Sequence, residues 1–330
     1  MSSLSIRRVA VIALAAVGIV AVAGLAVLEW RWRRHFDVPY PSVVTSTDPG
    51  LVARGGYLVY SAAACAYCHV PRERWPELDR GERLPLTGHH LFRLPFGDIY
   101  SANLTPDGET GIGHHSDAAI ARMLTRGVRA DGRAAFPIME IHLADDDLIA
   151  VTAYLRSREA VSHRVPEHRF TLLGKALMGF AIGPADDVPS RPGTSPAGAT
   201  AERGSYLANH VSSCVACHTD RGEDGQFAGP PFAGGQRMDV AADASRVYVT
   251  PNLTPDPETS PIGQWSEDAF VTRFRAGPAL EGTPMPWGAF ARMSDEDLRA
   301  IYRYLRTLPP SRHQVGPAIQ PKGRPSSAGL

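Results

Sequence analysis

A five-residue pattern that occurs twice in the chain places the strongest constraint on its fold. The first copy is Cys65-Ala66-Tyr67-Cys68-His69 and the second is Cys214-Val215-Ala216-Cys217-His218, and together they use all four cysteines. Two thiols three residues apart on one helical turn can reach the two vinyl groups of one porphyrin, and the following histidine then faces the iron. The pattern therefore predicts two covalently bound haem c groups. The predicted attachment residues and proximal iron ligands are Cys65, Cys68, His69, Cys214, Cys217 and His218.

A thioredoxin-like dithiol and half of a zinc site are the alternative interpretations of each Cys-x-x-Cys pair. A redox dithiol does not require the histidine that follows, and no strand pattern leads into either copy. A zinc site would require both copies to fold onto one ion. The repeated flanking sequence, with a distal ligand candidate in each copy, favours haem.

The sequence around the two boxes repeats as well, which predicts two similar structural units. Arg54-Gly55-Gly56-Tyr57-Leu58 leads into the first box and Arg203-Gly204-Ser205-Tyr206-Leu207 into the second. Asn103-Leu104-Thr105-Pro106-Asp107 and Asn252-Leu253-Thr254-Pro255-Asp256 follow at the same distance beyond the boxes.

Each unit is expected to contain two further helices. The first lies between a serine N-cap and a glycine that ends it, from Ser116 to Gly127 and from Ser266 to Gly277. The closing helices are expected from Asp145 to about Arg156 and from Asp295 to about Thr307. Acidic residues in their first turns suit the helix dipole.

The sixth iron ligand of the second unit is predicted to be Met285. It lies in Thr283-Pro284-Met285-Pro286-Trp287, where the flanking prolines hold a stiff, extended loop. Met293 is the rival, but it falls at the start of the closing helix and is expected to pack inward.

In the first unit the corresponding ligand is predicted to be Met139, in Phe136-Pro137-Ile138-Met139. Glu140 replaces the second proline, the loop that follows is shorter, and His142 is an alternative ligand. More remote ligand candidates are His89, His90, His114 and His115.

These ligands bear on function because His/Met ligation raises the haem potential and fills both axial positions. A haem without an open position suits electron transfer better than chemistry on a substrate. His115 and Trp265 occupy equivalent positions in the two units, and a ring N–H there could donate to a haem propionate. A surface position near the haem rim is the alternative for both.

The combined motifs resemble the multi-haem c-type cytochrome subunits of bacterial membrane-bound alcohol, aldehyde and sugar-acid dehydrogenases. The resemblance rests on the boxes, their Gly-x-Tyr-Leu or Gly-Tyr-Leu leads, the Asn-Leu-Thr-Pro-Asp segments, Pro284-Met285-Pro286-Trp287 and Asp295-Glu296-Asp297-Leu298. It implies an all-α fold of two tandem class I cytochrome c domains, and electron transfer from a dehydrogenase toward quinone or a terminal oxidase. Those subunits commonly carry three boxes, whereas this chain has two.

An N-terminal transmembrane helix is also predicted. The apolar run from Val9 to Leu28 spans about 20 residues, or about 30 Å of helix, which is enough to cross a bilayer. A cleaved signal peptide is the alternative, since Ala21-Val22-Ala23 offers a cleavage site, but the run continues beyond it. Covalent haem attachment takes place outside the cytoplasm, so we expect an inner-membrane anchor with the haem domains in the bacterial periplasm.

The predicted organisation has six parts: 1–36 membrane anchor and flanks, 37–50 tether, 51–158 cytochrome c domain 1, 159–200 linker, 201–310 cytochrome c domain 2 and 311–330 flexible tail. The linker is either disordered or partly ordered through its apolar patch, Leu172 to Ile182. A formal net charge of zero, from 34 basic and 34 acidic residues, argues against a nucleic-acid partner.

These features predict a membrane-anchored periplasmic di-haem cytochrome c that relays single electrons and has no enzymatic activity of its own. The expected partners are a dehydrogenase or quinol-oxidising donor upstream and a cytochrome or oxidase downstream. The alternative is a di-haem peroxidase, which would need a displaceable ligand at the first haem.

Overall fold

The computed structural model describes residues 3–138, 141–185, 192–222, 225–240, 243–280 and 282–323, with the backbone alone for 3–7 and 244. The α-helices are α1 (Ser3–Arg31), α2 (Pro49–Tyr57), α3 (Ala66–His69), α4 (Trp75–Asp79), α5 (Asp117–Arg126), α6 (Asp145–Arg156), α7 (Leu172–Ala176), α8 (Ala201–Tyr206), α9 (Cys214–Cys217), α10 (Pro261–Gln264), α11 (Glu267–Arg275), α12 (Trp287–Phe290) and α13 (Asp295–Thr307). Shorter helical turns are a 3₁₀ turn at Arg72–Arg74 and π-helical turns at Leu58–Ala62, Leu177–Ala181 and Leu207–Val211. The strands are β1 (Leu91–Leu94), β2 (Gly97–Tyr100), β3 (Arg169–Phe170), β4 (Arg237–Val240), β5 (Asp243–Val249) and β6 (Ile319–Pro321).

The predicted helix caps are confirmed. The Ser116 hydroxyl accepts from the Ala119 amide at the start of α5, and Gly127 ends that helix with φ +60°. Ser266 caps α11 in the same way. The closing helices α6 and α13 have the predicted bounds.

A close helix crossing explains why a glycine follows the arginine in both lead sequences. In each unit the lead helix crosses the closing helix, α2 against α6 and α8 against α13. A Cβ atom on Gly55 would lie 1.9 Å from the Ala150 carbonyl oxygen, and one on Gly204 would lie 1.9 Å from that of Ala300. A side chain at either position would therefore push the two helices apart.

The expectation of an all-α fold is wrong, because each unit carries a small antiparallel sheet. The strand orders are β1-β2-β3 and β4-β5-β6. In both sheets a hairpin lies between the box and the asparagine segment, and the third strand comes from beyond the closing helix. Strands β1 and β2 have only four residues each, too few for an alternating pattern to stand out in the sequence.

The described parts of the linker and the tail are ordered on the units that precede them. The Asn103 side-chain amide donates to the Val161 carbonyl at 2.9 Å, and Asn252 donates in the same way to Ser311 at 2.8 Å. Residues 311–323, which were predicted as part of a flexible tail, contact the second unit in the described structure, whereas residues 324–330 lie outside the described ranges.

A salt bridge at the start of each closing helix ties it to the lead helix of the same unit. The guanidinium of Arg54 donates to Asp147 at 2.8 Å, and that of Arg203 donates to Asp297 at 2.8 Å. The two aspartates are 1% and 4% exposed. Burial of an unpaired carboxylate costs several kcal/mol, so the salt bridge is required where the carboxylates lie.

The same two carboxylates also join the units to each other. The Tyr57 hydroxyl of the first unit donates to Asp297 of the second at 2.6 Å, and the Tyr206 hydroxyl of the second unit donates to Asp147 of the first at 2.8 Å. Tyr206 also accepts from the Ala144 amide at 2.9 Å. Burial, with the neighbouring carboxylate, raises the pKa of both tyrosines, so both hydroxyls stay protonated and donate.

Loss of one such hydroxyl should weaken the protein measurably. We expect Tyr206→Phe to lower the free energy of unfolding by about 2 kcal/mol, because a hydrogen bond to a charged group contributes about 1.5–3 kcal/mol. Chemical denaturation followed by far-UV circular dichroism measures this loss, and small-angle scattering measures whether the units separate.

Tyr302→Phe is the matched control, since the Tyr302 hydroxyl donates to the Trp265 carbonyl at 2.7 Å within one unit. We expect this neutral bond to contribute about 1 kcal/mol and its loss to leave the units docked. Equal losses in the two variants, with unchanged scattering, would contradict a role for Tyr206 between the units.

Candidate haem-binding sites

The two boxes are reached through the same sequence of backbone turns. A π-helical turn follows each lead helix, and a residue with left-handed backbone then precedes the first cysteine, Ala64 with φ +50° and Ser213 with φ +48°. A non-glycine residue in this conformation costs about 1 kcal/mol. Its occurrence at the same place in both units indicates that this sharp change of direction is needed to present the box.

Each box histidine is held by a carbonyl on its far side. Nδ1 of His69 lies 2.8 Å from the Ala102 oxygen, and Nδ1 of His218 lies 3.0 Å from the Pro251 oxygen. A carbonyl only accepts, so Nδ1 carries the proton and Nε2 keeps its lone pair. Burial lowers the pKa of both rings, which keeps them neutral, the form that binds a metal.

A glycine behind each histidine was missed by the sequence analysis. The amides of Gly88 and Gly234 donate to the carbonyls of His69 and His218, both at 2.8 Å. Both glycines have positive φ, +75° and +71°. A Cβ on Gly234 would lie 2.5 Å from the Pro251 carbonyl carbon, so only glycine brings the box and the histidine's acceptor this close. In both units a glycine occurs between the box and the asparagine segment, and this recurrence could have indicated the two positions from the sequence.

A shared zinc site would require the side chains of the two boxes to meet at one ion. Among the described residues, no group of three or more His, Cys, Asp and Glu side chains is placed to hold a metal ion. Burial raises the pKa of the Cys65 and Cys214 thiols to about 12, so neither thiol is ionised at neutral pH. A histidine with a free Nε2 beside two spaced thiols fits covalent haem attachment instead.

The predicted distal ligand of the second unit lies on a loop that aromatic contacts hold in place. Met285 is partly buried and packs against the core, and its carbonyl accepts from the Trp287 amide at 2.8 Å. The Trp287 ring lies 5.5 Å from the Phe274 ring, and the Arg273 guanidinium lies 4.0 Å from the Trp287 centroid. The rival Met293 is 2% exposed, which confirms that it packs inward.

The corresponding loop of the first unit is described only in part, because Met139 and Glu140 lie outside the described residues. Just beyond them, the His142 amide donates to the His210 carbonyl of the second unit at 2.7 Å, and the two rings lie 6.2 Å apart. The end of this loop is therefore held by the other unit. Met139 and the alternative, His142, both stay predictions.

The two candidate propionate contacts lie in equivalent positions with different surroundings. His115 is half-buried, and its ring lies 4.0 Å from the His114 ring. Burial, followed by the nearby His114, lowers the pKa of His115, so its ring is neutral at pH 7. Trp265 packs against the core.

The other histidines named as remote ligand candidates have partners of their own. Nδ1 of His89 lies 3.1 Å from Nε2 of His163. The His90 ring stacks on Trp75 at 5.5 Å, and Nδ1 of His114 lies 3.1 Å from the Gly108 carbonyl. His114 thus shares the contact of Nδ1 with a carbonyl, but its side chain is exposed, whereas His69 and His218 are both only 8% exposed.

Comparison with known proteins agrees with this geometry. Residues 199–305 match the family model described as cytochrome c oxidase, cbb3-type, subunit III. The cytochrome c subunit of alcohol dehydrogenase (quinone) from Gluconobacter oxydans is 31% identical, over 79% of this chain and 55% of its own length. The homologues of this chain are cytochrome c subunits. A cytochrome c domain implies covalently bound haem c, and the donors at Cys214, Cys217 and His218 fit it.

Two further relatives extend the comparison. The fructose dehydrogenase cytochrome subunit of Gluconobacter japonicus is 28% identical, over 84% of this chain and 57% of its own length. A diheme cytochrome c-type protein of Cereibacter sphaeroides is 26% identical, over 78% of this chain and 86% of its own length. The chain thus spans little more than half the length of these alcohol and fructose dehydrogenase cytochrome subunits.

The glycine behind His218 provides a sharp test of the site. We expect Gly234→Ala to shift the histidine's backbone, because its Cβ would meet the Pro251 peptide, and so to lower the fraction of low-spin haem. The added crowding should cost about 1–3 kcal/mol beyond the backbone strain. Reduced-minus-oxidised spectra and chemical denaturation measure the two effects.

Gly277→Ala is the control, since Gly277 also has φ +71° but a Cβ there would have no atom within 4 Å. It should show the strain of about 1 kcal/mol alone and a wild-type spectrum. Identical behaviour of the two variants would show that the close approach of Gly234 to the Pro251 peptide does not position His218.

Proposed function

We propose that this chain is a membrane-anchored, periplasmic di-haem cytochrome c that relays single electrons. Its donor would be a dehydrogenase or a quinol-oxidising complex, and its acceptor a cytochrome or oxidase. The observation that carries the proposal is a direct hydrogen bond between the turns that lead into the two boxes: the Ser212 hydroxyl donates to the Ala62 carbonyl at 2.7 Å.

This hydrogen bond supports electron exchange between two haems of the same chain. Ala62 is three residues before Cys65, and Ser212 is two residues before Cys214. A short backbone path with one hydrogen bond therefore joins the two attachment boxes. A bonded path of this kind carries electrons better than a gap across the interface.

Two haems, rather than one, are supported by the equivalence of the units. Both box histidines have the same Nδ1 contact with a carbonyl and the same glycine amide on their own carbonyl. The relative from Cereibacter sphaeroides is itself a diheme protein by name. We propose domain boundaries at 51–158 and 201–310, with 159–185 and 311–323 completing the sheets.

Bound haem supplies an iron that alternates between ferric and ferrous states, and the polypeptide prepares its surroundings. His69 and His218 present a neutral Nε2, and Met285 and Met139 are the proposed distal ligands. The buried interface holds the two boxes in a fixed relation, so little rearrangement accompanies each electron. A histidine and a methionine from this chain would together leave the iron without an open position, which would favour electron relay over chemistry on a substrate.

The membrane anchor is proposed from α1. Within its segment Arg8–Arg31, an 18-residue stretch has a mean hydropathy of 2.9, and none of that stretch is buried against the rest of the protein. Helix length and apolar character suit a bilayer span. Orientation into the periplasm of an inner membrane follows from the site of covalent haem attachment, and the dehydrogenase partner follows from the named relatives.

Spectroscopy of ligand variants tests the proposed coordination. In Met285→Ala and in Met139→Ala we expect one of the two low-spin His/Met signatures to disappear, with a lower potential for that haem, because the thioether favours ferrous iron. Reduced-minus-oxidised spectra and redox titration of each variant measure this.

Met293→Ala is the matched control, because Met293 is a buried core residue and its loss should leave both signatures in place. Unchanged spectra in both ligand variants would show that the ligands are misassigned. A wild-type first haem that is high-spin or binds cyanide readily would favour the peroxidase alternative.

The bridge between the boxes gives a kinetic test. We expect Ser212→Ala to slow electron equilibration between the haems several-fold after rapid photoreduction, because the bonded path is broken. Ser61→Ala is the control, since the Ser61 hydroxyl donates across the same interface to the Ala289 carbonyl at 3.1 Å. Both should cost about 1 kcal/mol of stability. Equal rates in the two variants would exclude this route.

A further inference from the structure

A short apolar surface beside α1 stays uncovered in the described structure. Leu172, Leu173 and Phe180 lie in the segment formed by α7 and the π-helical turn that follows it, and they are 61%, 57% and 59% exposed. Gly174 and Met178 of the same segment are buried. The segment is therefore two-sided, and we call its exposed side the outer face of 172–181.

This segment packs directly against the last turn of α1. Lys175 forms an ion pair with Glu29. A Cβ atom on Gly179 would lie 3.2 Å from the backbone nitrogen of Trp32, and the Arg31 guanidinium lies 5.2 Å from the centroid of the Phe180 ring. The outer face therefore lies at the level where α1 ends.

That level corresponds to the membrane surface if α1 spans the bilayer. The apolar run of α1 stops at Leu28, after about 30 Å of helix, so Glu29 to Trp32 reach the headgroup region. Tryptophan and arginine are the residues that favour this region, and Trp30, Arg31 and Trp32 are at this level.

The segment is also fixed to the first haem unit. Strand β3, which precedes it, pairs with β2, and the Thr171 amide donates to the Phe96 carbonyl at 3.0 Å. A Cβ on Gly174 would lie 2.1 Å from the same Phe96 carbonyl oxygen. The segment is thus a packed connection between α1 and the first unit.

We propose that the outer face of 172–181 lies in the headgroup–acyl boundary of the phospholipid bilayer, as a second membrane contact beside α1. Apolar side chains on one side of a short helix, next to basic residues such as Arg31 and Arg33, suit such a surface. Continuity with α1 selects lipid as the occupant. The inference rests on the proposed anchoring of α1, and it fixes how the first haem unit faces the membrane.

Lipid photocrosslinking of the full haem-loaded chain tests this proposal. The probe is a phosphatidylcholine nanodisc in which a fraction of the lipid carries a diazirine on its acyl chain, with adducts mapped by mass spectrometry. We expect adducts in α1 and in the peptide containing 172–181. Phe180→Glu should reduce the second set several-fold.

Phe227→Glu is the matched control, because Phe227 is a 49% exposed phenylalanine in the second unit that also has an arginine, Arg221, over its ring. It should leave both sets of adducts unchanged. Adducts in α1 alone would overturn the proposed lipid contact of the outer face, while the anchoring by α1 would still hold. The outer face would then be open to a protein partner instead. Adducts in neither would overturn the anchoring itself, and this inference with it.

Discussion

The fold depends on two buried carboxylates, each shared between the units. Asp147 and Asp297 each receive an arginine from their own unit and a tyrosine from the other. A buried carboxylate that loses a partner costs several kcal/mol, so the folding of each unit is energetically linked to the docking of its neighbour. These contacts join the start of each closing helix to a lead helix. They therefore also fix the positions of the lead helices and of the boxes that follow them.

The two candidate haem-binding sites are similar because the same backbone path leads into both boxes. Each box emerges from the same π-helical turn, passes through a left-handed residue and ends in a histidine held by a carbonyl. The interface then brings the two leads together, so that Ser212 reaches the carbonyl of Ala62. Attachment, ligand orientation and the contact between units are thus consequences of one repeated backbone path.

Local signals in the sequence were sufficient for some of these features and insufficient for others. The serine caps of α5 and α11 were predictable because a cap acts on residues within one turn of it. Strands β3 and β6 were not, because a strand of two or three residues is defined by its partner, far away in the chain. The tyrosine–aspartate contacts were missed for the same reason: Tyr57 and Asp297 are 240 residues apart. Both members recur in the repeat, but a repeat gives no indication of which copy a side chain will meet.

Tyr57 and Tyr206 each donate to the buried aspartate of the other unit. The two units are therefore a docked pair within one chain rather than two independent domains. In a pairing with two-fold symmetry, each surface is complementary to a copy of itself. A lone unit with both its tyrosine and its aspartate would therefore carry the two halves needed to pair with a second identical unit. The connection through 159–200 makes that association intramolecular and independent of protein concentration. After duplication of such a unit, each copy could change its distal loop while the partner kept it in place.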